Sequence, residues 1–159
     1  MFNPFSFFFG SSDLISSKLF DESTFYDAFV KDLKKCKKEA IIESPYITCK
    51  RMAILERAFK KLIKRGIKVY IITRSPKEHD ENLARQAELE ISIFEELGVH
   101  VLLCAGNHHR KLAILDREIL WEGSLNILSQ AYSREIMRRI KCKVLAKQMF
   151  NFLNMGRII

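Results

Sequence analysis

The sequence predicts an α/β domain whose mixed, mostly parallel β-sheet is flanked by helices. Apolar runs of strand length alternate with amphipathic stretches of helix length. One helix–glycine–strand unit occurs twice, at Arg65-Gly66-Ile67-Lys68-Val69 and at Leu97-Gly98-Val99-His100-Val101. The 159 residues, 48% of them hydrophobic, suit one domain with a substantial core.

Met1 to Phe9 reads Met-Phe-Asn-Pro-Phe-Ser-Phe-Phe-Phe. It is too short to span a bilayer, and Pro4 opposes a regular helix. Residues 1–20 are expected to form an apolar N-terminal extension, with Gly10-Ser11-Ser12 as a linker. The extension would pack on the domain or on a second subunit; a membrane-surface anchor is the alternative. No basic start of a secretory signal is visible. Cysteines 36, 49, 104 and 142 form no CxxC pair, so they are expected as free thiols in a cytoplasmic protein.

The domain proper is expected over 21–159. Its first helix runs from Asp21 to Lys38, capped by Asp21 or Ser23, with Phe25, Phe29 and Leu33 on the inner face. A buried strand follows at Glu39 to Glu43, then a Ser44-Pro45-Tyr46 loop. The second helix spans Lys50 to Arg65 and stops at Gly66. A strand over 67–73 leads to a charged loop, 74–81. The third helix starts near Asn82 and stops at Gly98, and a strand covers 99–104. A final strand over 134–141 and a helix over 144–153 close the chain. Loops at the carboxyl ends of α/β strands hold ligand contacts, which makes Arg74 and Lys77 candidates for phosphate contacts. His79 reads as a surface residue.

The most informative stretch is His109 to Asn126, His-Arg-Lys-Leu-Ala-Ile-Leu-Asp-Arg-Glu-Ile-Leu-Trp-Glu-Gly-Ser-Leu-Asn. Alternate side chains of a strand share a face, so His109 and Lys111 would enter one pocket, while His108 would face away. Imidazole can be a nucleophile or a general acid/base near neutral pH. An ammonium beside it suits an anionic substrate. Ser124 and Asn126, in a loop opened by Gly123, can hydrogen-bond phosphoryl oxygens. The set reads as a metal-free phosphodiester site in which Lys and Asn stabilise developing charge.

His109-x-Lys111-x4-Asp116-x6-Gly123-Ser124-x-Asn126 resembles the signature of the phospholipase D superfamily, the HKD motif. The resemblance implies a phospholipase D-like fold with one HKD domain, at 21–159, and no cofactor or metal. It also implies a catalytic His109 that forms a phosphohistidine, with Lys111 and Asn126 on the phosphate and Ser124 supporting their loop. Asp116 belongs to the motif, where it orders the hairpin or balances charge. An acidic residue following the motif often hydrogen-bonds the catalytic histidine; Glu135 is the choice, with a surface salt bridge as its alternative. Tyr46 would line substrate or stack on a base, or else simply pack.

The chain holds one HxK, whereas the chemistry uses two histidines. A homodimer with one shared site is therefore expected. The net charge of +8 favours polyanions. Nucleic acid is the expected partner, and a membrane is disfavoured. The leading reading is an endonuclease cutting DNA or RNA. The stretch Ile-Leu-Trp-Glu-Gly-Ser-Leu-Asn-Ile-Leu-Ser also resembles HKD domains joined to helicase-type proteins, which implies a DNA-processing partner. A phospholipase D or cardiolipin-type lipid phosphodiesterase is the alternative, favoured by the Phe-rich start. A non-catalytic nucleic-acid-binding dimer is the third reading.

Overall fold

Residues 15–129 and 132–159 are described in the computed structural model. Its elements, in chain order, are β1 (Ser16–Asp21), α1 (Phe25–Lys35), β2 (Glu39–Glu43), α2 (Cys49–Lys64) and β3 (Lys68–Arg74). A 3-10 turn (Pro76–Glu78), α3 (Glu81–Glu96), β4 (His100–Cys104), β5 (Leu112–Leu115) and β6 (Ile119–Gly123) follow. β7 (Ile136–Lys141), α4 (Lys143–Phe152) and a 3-10 turn (Met155–Arg157) complete them. The Phe-rich start and the Gly-Ser linker lie outside the described residues.

The strands form one sheet in the order β1-β7-β6-β5-β2-β3-β4. The α/β class and the mixed sheet are as expected, but the balance of directions is not. Only β2–β3 and β3–β4 are parallel. The β1–β7, β7–β6, β6–β5 and β5–β2 ladders are antiparallel. The two helix–glycine–strand units generate the parallel third, because a crossover helix returns the chain to the same sheet end. A tight turn at Asp116-Arg117 reverses it instead. The boundary at residue 21 also moves: Ser16–Asp21 pairs with β7, so the sheet begins inside the supposed extension.

Alternation along the strands makes two cores. Ala40, Ile42, Ala113 and Trp121 face the side covered by α1, α2 and α3, with Phe25, Phe29, Phe59 and Phe94. Ile41, Ile72, Ile114, Leu120 and Ile140 face the other side, under Ala146 and Phe150 of α4 and Met155. Trp121 is fully buried, and its indole N–H donates to Asp32 at 3.1 Å. Arg139 grips the same carboxylate at 2.5 and 3.0 Å, so this buried charge is paired and bonded.

Helix ends follow local chemistry. Asp80 caps α3, accepting from the Asn82 and Leu83 amides at 3.1 and 3.0 Å. Asp21 stands before α1 and accepts from the Thr24 and Ser23 amides at 2.9 and 3.1 Å. Arg65 donates to the Lys34 and Cys36 carbonyls and thereby closes the C-terminal end of α1. Cys36, Cys49, Cys104 and Cys142 are free thiols. Among the described residues no helix is long and apolar enough to cross a membrane.

Candidate active site

His109 and Lys111 lie in the irregular segment just before β5, not on the strand itself. They converge all the same. Lys111 Nζ is 2.6 Å from His109 Nδ1 and donates to the His109 carbonyl at 2.7 Å. With the ammonium as donor, Nδ1 must accept. Partial burial lowers the Lys111 pKa, and the Glu135 carboxylate opposes that shift. His109 is exposed. Both line a groove of about 680 Å³ with Arg110, Ser124, Glu122 and Arg138. Its other wall is apolar, from Leu19, Ile136, Met149, Phe152 and Leu153. This is the sheet face that short α4 covers incompletely.

Gly123 ends β6 where β7 passes closest. Ser124 then locks onto β7: its amide donates to the Ile136 carbonyl at 3.0 Å and its Oγ accepts from the Ile136 amide at 3.1 Å. Past Asn126 the chain is tied again. Tyr26 Oη donates to the Ile127 carbonyl, the Leu128 amide to Ser44 Oγ, and the Thr48 amide to the Leu128 carbonyl. Asn126 is therefore held from both sides. Its Oδ1 is buried with no hydrogen-bond partner among the described residues. An unmatched buried acceptor is costly in a purely structural position and suits a binding one.

Tyr46 stands beside the nucleophile candidate. Its ring is edge-on to His109 at 5.9 Å between centroids and packs on His79 at 5.1 Å. Ser44 Oγ donates to the Tyr46 carbonyl, so the Tyr46 and Asn126 loops share an anchor. His79, expected at the bare surface, is half-buried behind Tyr46. Burial, and then the Arg74 charge, lower its pKa. Only its lone position after a proline turn marked it in the sequence.

Other candidates are placed elsewhere. Asp116 sits at the opposite end of β5 from Lys111. Its carboxylate accepts from the amides of Lys37, Lys38 and Glu39 at 2.9, 2.8 and 3.1 Å. It joins the β5–β6 turn to the α1–β2 link and takes no part in the site. Arg74 donates to Glu78 and to Asn107, each at 2.8 Å, while Glu78 accepts from the Gly106 and Asn107 amides. Arg74 thus orders the approach to His109 rather than presenting a free guanidinium to phosphate. Lys77 is exposed on the neighbouring turn. Glu135 accepts from Ser133 Oγ at 2.8 Å, and its charge acts on Lys111. Among the described residues no hydrogen bond joins it to His109. His108 faces away from His109 as expected, but the sequence reading missed what it faces: Glu43, a fully buried carboxylate at the end of β2, which also pairs with Arg110.

A family model described as cardiolipin synthase, PLD-like domain, matches residues 29–155. The chain belongs to the phospholipase D-like family. The match takes in β2 through α4 and all of the HKD residues, and it assigns the chain to a phosphodiester-active superfamily. The fold is similar to the phospholipase D family member Nuc from Salmonella typhimurium, with a TM-score of 0.73 at 16% identity over 87% of this chain and 91% of that one. It is similar to NucT from Helicobacter pylori, with a TM-score of 0.67 at 20% identity over 87% and 93%. Phosphatidylserine synthase from Haemophilus influenzae matches with a TM-score of 0.72 at 16% identity, over 89% of this chain and 38% of that one. No curated protein sequence matches the chain.

Proposed function

We propose that this phospholipase D-like protein is a metal-independent endonuclease that cleaves DNA or RNA through a phosphohistidine at a site shared by two copies of the chain. The observation that carries the reading is the His109–Lys111 contact of 2.6 Å on the rim of an open groove. An imidazole nucleophile and an ammonium arrive there together. His109 of one copy attacks phosphorus, and the bond to the leaving oxygen breaks. His109 of the other copy protonates that oxygen, then takes a proton from the water that cleaves the P–N bond. Lys111 and Asn126 hold the non-bridging oxygens, whose charge grows in the transition state. In the free protein the Lys111 ammonium is occupied by His109, so an arriving phosphate competes for it and frees Nδ1. The nucleic-acid assignment rests on the net charge of +8. The chain and the two proteins named Nuc and NucT also cover each other almost fully.

The apolar wall of the groove supports a second reading, a lipid phosphodiesterase whose substrate lays acyl chains against Leu19, Ile136 and Phe152. Labelled single- and double-stranded nucleic acid in EDTA, beside phosphatidylglycerol and cardiolipin vesicles, separates the two. Cutting of nucleic acid that His109→Ala abolishes supports the nuclease; lipid turnover alone supports the second reading. An active protein that sediments strictly as a monomer overturns the shared site.

A further inference from the structure

We infer that Glu43 is the positioning residue of the site, holding His109 in place by gripping the residues on either side of it. The inference rests on His109 being the reactive group. Residues 107–111 belong to no helix or strand, and the β2–β5 ladder begins only at Glu43 opposite Leu112. Sheet hydrogen bonds therefore do not fix the His109 peptide.

Side-chain contacts take their place. Glu43 is the last residue of β2 and is fully buried. Arg110 Nε lies 2.8 Å from its Oε2, and His108 Nε2 lies 3.8 Å from the same oxygen. His108 is itself buried, whereas the Arg110 side chain is 49% exposed and lines the groove. Residues 108 and 110 thus meet one carboxylate, while 109 and 111 turn toward each other. This continues the two-residue alternation of β5 into a segment with no ladder of its own. Upstream, the Arg74–Glu78 pair fixes Gly106 and Asn107.

The grip is a strained one in energetic terms. Neither Glu43 carboxylate oxygen nor His108 Nε2 has a hydrogen-bond partner among the described residues, so Arg110 meets Oε2 as an ion pair and His108 only lies against it. Burial pushes the Glu43 pKa up, against the pull of Arg110. Burial likewise pushes the His108 pKa down, and the Arg110, His109 and Lys111 charges add to that. A carboxylate kept there for stability alone would be better replaced by a neutral group. One kept to fix the two neighbours of a nucleophile is understandable.

The test compares wild type, Glu43→Gln and Arg110→Gln in the full chain. Glu43→Gln removes the buried charge at constant size; Arg110→Gln removes its ion-pair partner at a half-exposed position. The melting temperature of Glu43→Gln is expected to equal or exceed that of wild type. Its kcat on whichever phosphodiester the wild type cleaves is expected to fall on the order of 10–100-fold, with KM little changed. Arg110→Gln should move kcat the same way. Nitrogen-15 spectra of the His109 ring give a readout independent of turnover. Wild type should show Nδ1 as an acceptor, and both variants a mixture of ring states. Unchanged ring spectra in both variants overturn the inference, as does a kcat loss confined to Glu43→Gln and matched by a lowered melting temperature. A wild type without turnover counts against the phosphodiesterase reading alone, because the ring spectra still decide the positioning.

Discussion

Gly123 lies so close to Ile136 that a methyl group on its Cα would run into the Ile136 carbonyl oxygen. It would also meet the Met137 sulfur at 2.8 Å and the Met137 Cα at 2.9 Å. The obstacle is largely backbone, so it cannot rotate away. Gly123→Ala must push β6 from β7, and overpacking of this kind costs about 1–3 kcal/mol. Urea unfolding should show that loss. Because Ser124 is bonded to Ile136, activity of the folded fraction should fall as well.

Asp116 anchors three backbone amides from one carboxylate, and it does so at φ 54°. Asp116→Ala removes all three hydrogen bonds and puts alanine in the left-handed region. At roughly 1 kcal/mol per hydrogen bond, the loss is on the order of 2–3 kcal/mol. Asp116→Asn keeps an acceptor and tolerates the backbone, so it should lose clearly less. Thermal melts rank the three proteins. Retained kcat in Asp116→Asn would bear out a role remote from the chemistry.

Lys111→Met removes the ammonium that faces His109 Nδ1 and that the proposed function assigns to the phosphate. Loss of one preorganised donor costs about 10²–10³-fold in kcat. Folding should be kept, since Lys111 is only partly buried and its ammonium is directed to His109. Single-turnover rates beside a circular dichroism melt check both halves.

The Asp21 carboxyl is held down to about 2, first by the Thr24 hydroxyl and then by the Ser23 hydroxyl, with both backbone amides adding. Its folded pKa lies below the unfolded one. The stability it contributes is thus present above the ordinary value of 3.8 and lost as pH falls toward about 2. Asp21→Asn lacks the titrating charge. The gap between its urea midpoint and that of wild type should be constant above pH 5 and close in acid, to an order-of-magnitude reading of the linkage.

Local chemistry made much of this protein legible in its sequence. The apolar run Leu112–Leu115 is β5, Glu39–Glu43 is β2, and the other helices and strands after β1 lie within a few residues of their expected spans. The pairing of His109 with Lys111, the turn at Asp116 and the need for glycine at 123 follow from spacing of two, a reversal of direction and a close approach. Each is set within a few residues, where covalent geometry does the specifying.

Tertiary structure decided what depends on which distant segments meet. Periodicity tells which face of a strand is inward but not which strand lies beside it, so the mostly antiparallel sheet and the recruitment of Ser16–Asp21 could not be read in advance. Charges behave likewise. Asp116 is bonded to amides 77–79 residues away, Arg74 is taken by Asn107 33 residues on, and Glu43 is buried against His108 and Arg110. A charged side chain takes its role from the partner that the returning chain supplies. The sequence by itself determined the His109–Lys111 pair; the fold decided which carboxylates and guanidiniums lie around that pair.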